Sequence, residues 1–115
     1  MSKRILVVDD DSTILFVLTR YLTQLGPEFQ VTSCGSGAEA LALDMARPYD
    51  LVISDCNIPG LTGLDLAQAL ITRRPDVKLI LMSGGFEPDF PLDGFLAKPF
   101  TPDEARAAVR AALAG

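Results

Sequence analysis

Histidine is absent from the 115 residues, and so is tryptophan. Without imidazole the chain cannot build a Ser–His or Cys–His catalytic pair or bind a metal through a histidine ring, and any phosphohistidine in its chemistry must belong to a partner. Cysteine is scarce: Cys34 and Cys56 could close at most one bridge, and a chain of this length needs no staple. Both are expected as free thiols of a protein in a reducing cytoplasm. Long apolar runs are missing as well, so no segment approaches a membrane span. The run that follows Met1-Ser-Lys-Arg stops after Val8 in three aspartates and is not expected to serve as a secretory leader. Positive charge is the last shortage. Ten Lys and Arg stand against fifteen Asp and Glu, for a net charge of −5, and the only adjacent basic residues are the pairs Lys3-Arg4 and Arg73-Arg74. Nucleic acid and membrane are therefore not expected as partners.

What is present is the composition of one packed domain spanning residues 1–115, with 49% apolar and 22% charged residues. Short continuous apolar runs at Ile5–Val8, Leu51–Ser54, Val77–Met82 and Phe95–Ala97 suit strands covered on both faces, and Phe29–Cys34 is a weaker fifth. Helical patterns lie between them. Ile14, Leu15, Val17, Leu18, Tyr21, Leu22 and Leu25 recur at helical spacing until Gly26-Pro27 stops them. Ser36 with Glu39 reads as a capping box before Ala38, Leu41, Ala42 and Met45. Thr62 opens a helix carrying Leu66, Ala67, Leu70 and Ile71, and Thr101-Pro102-Asp103-Glu104 opens the last one. This alternation predicts an α/β fold with an open, doubly wound parallel sheet.

In such sheets ligands bind beyond the carboxyl ends of the strands. Strand one ends in Asp9-Asp10-Asp11, strand three in Asp55, strand four in Ser83 and strand five in Lys98. Two carboxylates about 4 Å apart repel by roughly 4 kcal/mol at an effective dielectric of 20. A protonated carboxyl would relieve that. A divalent cation does so better at neutral pH, and an all-oxygen site with few protein ligands suits Mg²⁺. With a cation beside Asp55, a carboxylate oxygen can attack phosphorus while Lys98 and the Ser83 hydroxyl hold the other oxygens, because phosphoryl transfer asks mainly for positioning and charge neutralisation.

At this point the chain resembles the receiver domain of two-component response regulators. Ile5-Leu-Val-Val-Asp-Asp10 is similar to that family's first strand and acidic pair. Leu51-Val-Ile-Ser-Asp55, followed by Asn57, Pro59 and Gly63, is similar to its phosphoacceptor strand and loop, and Ser83 and Phe95-Leu-Ala-Lys98-Pro99 to its switch and lysine segments. The resemblance implies a flavodoxin-like, five-stranded sheet in the order 2-1-3-4-5 and a switch phosphorylated on Asp55 by a histidine kinase or histidine phosphotransfer protein. It also implies Mg²⁺ held by Asp10, Asp55 and the Asn57 carbonyl, with Asp9 acting through water. Ser83 and Lys98 would bind the phosphoryl oxygens, Phe95 would be the switch aromatic, and the Lys98–Pro99 bond would be cis. Such a domain is no enzyme beyond its own phosphorylation and dephosphorylation, and its output partner is not written in these residues.

Two other classes compete. Asp9-Asp10-Asp11-Ser-Thr13 fits the D-x-D-x-T motif of haloacid-dehalogenase-type phosphatases, with Asp9 and Asp11 as the acidic pair, but that class leaves Asp55 unexplained. A receiver-like docking module independent of phosphorylation would have no need of the complete Asp/Asp/Asp/Ser/Lys set. One departure from the family stands out. Only ten residues, 84 to 93, separate Ser83 from Gly94, and they include Gly84, Gly85, Pro88 and Pro91. A crossover that holds a helix needs a dozen or so residues. The fourth helix of the family is thus expected to be missing or a single turn, with Phe86, Phe90 and Leu92 covering the sheet instead. Gly85, where the family usually carries a side chain, would leave the phosphoryl site less screened from water. With the usual output face remodelled, a monomer is expected, and partners should meet the first helix and the strand-end loops.

Overall fold

Five apolar runs become strands and the segments between them become helices in a computed structural model that describes residues 2–85 and 87–114. The order is β1 (Lys3–Val8), α1 (Ser12–Thr23), β2 (Phe29–Cys34), α2 (Gly37–Ala46), β3 (Leu51–Asp55), α3 (Gly63–Arg73), β4 (Lys78–Ser83), β5 (Gly94–Ala97) and α4 (Pro102–Ala114). All pairings are parallel, in the order β2-β1-β3-β4-β5, so the doubly wound reading holds. No described helix is long and apolar enough to cross a membrane.

Each helix starts where a side chain can satisfy its first free amides. Asp11 caps α1 by accepting from Thr13 N at 2.9 Å and Ile14 N at 3.4 Å. Thr62 with Asp65 and Thr101 with Glu104 form reciprocal boxes. Ser36 accepts from Glu39 N, but the Glu39 carboxylate accepts from Gly35 N instead of closing the box on Ser36. At its other end α1 stops at Thr23, short of Leu25, and the chain turns through Gly26 at φ +144°, a backbone state that glycine adopts without a side-chain clash.

The sheet divides two apolar layers. On one side Ile5, Val7, Leu51, Ile53, Ile80, Met82 and Leu96 pack under α1 and α4. On the other Leu6, Val8, Val52 and Leu79 pack under α2 and α3. Residues of β1, β3 and β4 are buried on both faces, as their unbroken apolar runs imply. Strand β5 departs from that reading. Only Leu96 is buried, while Phe95 on the opposite face is half-exposed, because no helix among the described residues covers that face.

The face of α2 also differs from its expected apolar positions. Ala38, Ala42 and Met45 are exposed, and Gly37, Ala40 and Asp44 are buried. An ion pair turns the helix this way. Asp44, fully buried, accepts from Tyr49 N at 2.9 Å and takes both Nε (3.2 Å) and Nη2 (2.7 Å) of Arg74 at the end of α3. Arg4 closes the same end of the sheet, its guanidinium 4.1 Å from the centre of the Tyr49 ring and bonded to the carbonyls of Arg47 and Pro48.

Between β4 and β5 there is no helix among the described residues, as the ten-residue crossover requires. Phe90 and Leu92 pack against the α2–α3 layer in its place. Phe86, the third residue expected to cover that face, lies outside the described residues.

Candidate functional site

The acids, Asn57, Ser83 and Lys98 singled out from the sequence belong to the carboxyl edge of the sheet or the loops that leave it, since parallel strands end together there, while Phe95 lies within β5. Asp9 and Asp10 follow β1, Asp55 ends β3, Ser83 ends β4, and Lys98 follows β5. Neighbouring registers set the contacts. Val8 lies opposite Ser54, and Ser83 opposite Ala97, so Asp55 and Lys98 emerge on either side of β4.

The Lys98 ammonium reaches Asp55 Oδ1 at 2.7 Å and Asp9 Oδ2 at 3.0 Å. Asp9 is 1% exposed and Asp55 7%, while Asp10 stands in solvent. Carboxylate oxygens of Asp9, Asp10 and Asp55 lie within 4.8 Å of one another. Backbone amides fix the two buried acids: Asp9 Oδ1 accepts from Asp11 N at 3.0 Å, and Asp55 Oδ2 from Asn57 N at 3.1 Å. Burial raises the Asp9 carboxyl above its ordinary value, against the opposing pull of the Asp11 amide and Lys98. Burial alone would lower Lys98, but its bonds to Asp55 and Asp9 outweigh it and the ammonium is raised.

One ammonium against three carboxylates leaves an excess of negative charge that a divalent cation would balance. The donor set is entirely oxygen and gathered at one edge, which fits Mg²⁺. Gly63 is built into this architecture. A Cβ there would collide with the backbone carbonyl of Asp55 and come within 2.9 Å of Cys56 Cα, so α3 can start this close to the loop after Asp55 only with glycine.

Ser83 is 7% exposed, and its Oγ accepts from Gly85 N at 2.9 Å. Phe95 lies beside Leu81 in the ladder, on the face left without a helix. The Lys98–Pro99 peptide is cis. Asp11 is spent on the cap of α1, which removes it from the pair that a D-x-D-x-T phosphatase would need. Cys56, half-buried beside Asp55, is unpaired, as is Cys34.

One organising residue was not visible in the sequence. Asp93 donates its amide to Leu79 O at 2.8 Å, and its carboxylate accepts from Leu79 N at 2.8 Å. Its side chain thus completes the ladder one position before β5 begins. An acid directly ahead of Gly94 was the available signal.

Comparison with known proteins agrees with this geometry. The sequence model of the response regulator receiver domain family matches residues 5–110. A Rhizobium etli protein named "Probable chemotaxis protein CheY" is 36% identical over 118 residues, covering 94% of this chain and 90% of that protein. The DNA-binding transcriptional regulator NtrC of Escherichia coli K12 is 35% identical over 114 residues, which cover 93% of this chain but only 24% of that longer protein. Among solved structures, the signal receiver domain of an HD domain-containing protein from Pseudomonas fluorescens Pf-5 superposes with a TM-score of 0.87 at 28% identity, covering 98% of this chain and 88% of that one.

Proposed function

Because this chain belongs to the response regulator receiver domains of two-component systems, we propose that it is a switch in which Asp55 accepts a phosphoryl group from a phosphohistidine of a sensor kinase or phosphotransfer protein. The observation that carries this reading is the Lys98 ammonium shared between Asp55 and Asp9, with Asp10 beside them at the carboxyl edge. Asp10, Asp55 and the Asn57 carbonyl would hold Mg²⁺, with Asp9 contributing through water. When bound, the ion offsets the excess negative charge and draws in the oxygens of the incoming group.

The chain's own residues do the rest. An Asp55 oxygen forms the new bond to phosphorus as the P–N bond to the donor imidazole breaks, and the bonding pair stays on the departing ring nitrogen. Asp55 thereby exchanges its carboxylate charge for that of an acyl phosphate. Lys98, already in contact with Asp55, follows the charge to the phosphoryl oxygens, and the Ser83 hydroxyl hydrogen points to another. Water later cleaves the acyl phosphate, and no other substrate is turned over. The absent histidine agrees with a phosphodonor on a partner. Partners would approach at α1, where Phe16 is 65% exposed beside a groove of about 410 Å³ shared with Tyr21 and Arg106.

The test is phosphorylation by acetyl phosphate followed by intact-mass measurement. One phosphoryl group should be gained with Mg²⁺ present, and none in EDTA or in Asp55→Ala. Equal labelling of the variant, or labelling indifferent to EDTA, would remove Asp55 or the metal from the reaction.

A further inference from the structure

Lys98 follows directly on the least anchored strand of the sheet. β5 is an edge strand of four residues, of which only Leu96 is buried. Its first residue, Gly94, brings no side chain to key against Ile80 opposite it, and no helix among the described residues leads into it. Yet its register has to hold. Ser83 lies opposite Ala97, so Lys98 leaves the ladder one residue later, and from there its ammonium meets Asp55 at 2.7 Å and Asp9 at 3.0 Å. A slip of one residue would carry Lys98 about 3.3 Å along the sheet and turn the side chains of β5 to the opposite face.

Two ties bracket the strand. At its end Lys98 N donates to Ser83 O at 2.8 Å. At its start Asp93 faces Leu79, one step before the Ile80–Gly94 pair. The Asp93 amide donates to Leu79 O at 2.8 Å, and its carboxylate accepts from Leu79 N at 2.8 Å, in place of the backbone carbonyl that a longer strand would offer. The other carboxylate oxygen lies 4.0 Å from Lys78 Nζ, beyond hydrogen-bond reach.

We propose that Asp93 is a positioning residue for the reaction: by pinning the start of β5 to Leu79 it fixes the register that delivers the Lys98 ammonium to Asp55 and Asp9. The inference rests on the phosphorylation reading above for what Lys98 does there, and adds the residue that places it. Asp93 acts from the amino end of β5, a strand's length from the acidic edge. Its acceptor oxygen matters and its charge does not, since the bond it makes is to a neutral backbone amide.

Isothermal titration with Mg²⁺ tests this, because Lys98 and the ion would draw on the same carboxylates and a displaced ammonium frees them for the metal. Asp93→Ala should bind Mg²⁺ about threefold more tightly than the parent, part of the gain expected on deleting the lysine. Asp93→Asn, which keeps an acceptor for Leu79 N but loses the charge, should bind as the parent does. Asp93→Ala combined with Lys98→Ala should bind no more tightly than Lys98→Ala alone, since the effect passes through the ammonium. Asp44→Ala, weakened at the amino end of the sheet, should melt earlier without a change in Mg²⁺ affinity, which separates position from stability. Should Asp93→Ala fail to fold, Asp93→Glu takes its place in each comparison, keeping the charge but carrying the acceptor on a longer side chain. A parent-like or weaker affinity in the position-93 variant, a shift shared by Asp93→Asn, or a further gain in the double variant overturns the positioning role alone. A parent that binds no Mg²⁺ overturns the phosphorylation reading and the positioning role with it.

Discussion

At the proposed Mg²⁺ site Lys98 and the ion would compete for the same oxygens, and Lys98→Ala separates their roles. The ammonium contacts Asp55 at 2.7 Å and Asp9 at 3.0 Å, and its side chain is 24% exposed. A charge-assisted hydrogen bond is worth about 1.5 kcal/mol net, so the two together are worth about 3 kcal/mol before screening. Partial exposure lets solvent weaken them, and about half that sum, roughly 1.4 kcal/mol, is left for a cation to recover when the lysine is gone. That is about a tenfold gain in Mg²⁺ affinity. Removing the repulsion between ammonium and metal acts in the same direction. Without metal the variant should melt earlier than the parent, since Asp9 and Asp55 then face each other unbalanced, and Mg²⁺ should restore much of the loss. Isothermal titration of both proteins reads the affinity, and thermal scans with and without Mg²⁺ read the rescue. A tenfold weaker affinity in Lys98→Ala would show that the lysine assembles the site rather than competing for it, and would refute the reasoning.

Two further outcomes are expected. Asp44→Ala leaves Arg74 without its carboxylate and the Tyr49 amide without its acceptor, which should cost about 3 kcal/mol in urea unfolding; a loss under about 1 kcal/mol would mean the pair contributes little. Burial pushes the Cys34 thiol up to about 11, so its folded value exceeds its ordinary 9.0. The associated stability is therefore complete below pH 9.0 and is lost as pH rises through about 11. Urea unfolding of Cys34→Ala across that range should show a shallower alkaline decline than the parent, and an identical decline would refute the assignment.

The parts of the fold that a sequence shows are those set by local chemistry. The caps at Thr62 and Thr101 and the apolar runs of β1, β3 and β4 depend on neighbours within a few residues, and they lie where the pattern put them. The crossover was legible for the same reason, because ten residues rich in glycine and proline leave no room for a helix. The acids and the lysine could be gathered to one edge because parallel strands share their ends. Contacts between residues distant in sequence were hidden. Nothing in α2 announces that Asp44 is buried, since its partner Arg74 is thirty positions away. The register that turned Met45 outward came from that pairing. Asp93 was likewise hidden, because its value depends on Leu79 being the strand residue opposite it.

The Asp44, Arg74, Tyr49 and Arg4 cluster sits at the amino end of the sheet, opposite the acidic edge. Changes there alter the fraction of chain unfolded at any moment, and so the amount of protein that escapes proteolysis. They should leave each surviving molecule's chemistry alone. Removing a carboxylate from the acidic edge does the reverse. Replacing a crowded carboxylate such as Asp55 relieves repulsion, so an inert version of this protein should accumulate at least as well as the active one. If Asp55 is the proposed phosphoacceptor, a cell carrying that version would lose the signal without losing the protein, whereas a cell carrying a damaged amino end would keep a faithful signal at a lower dose.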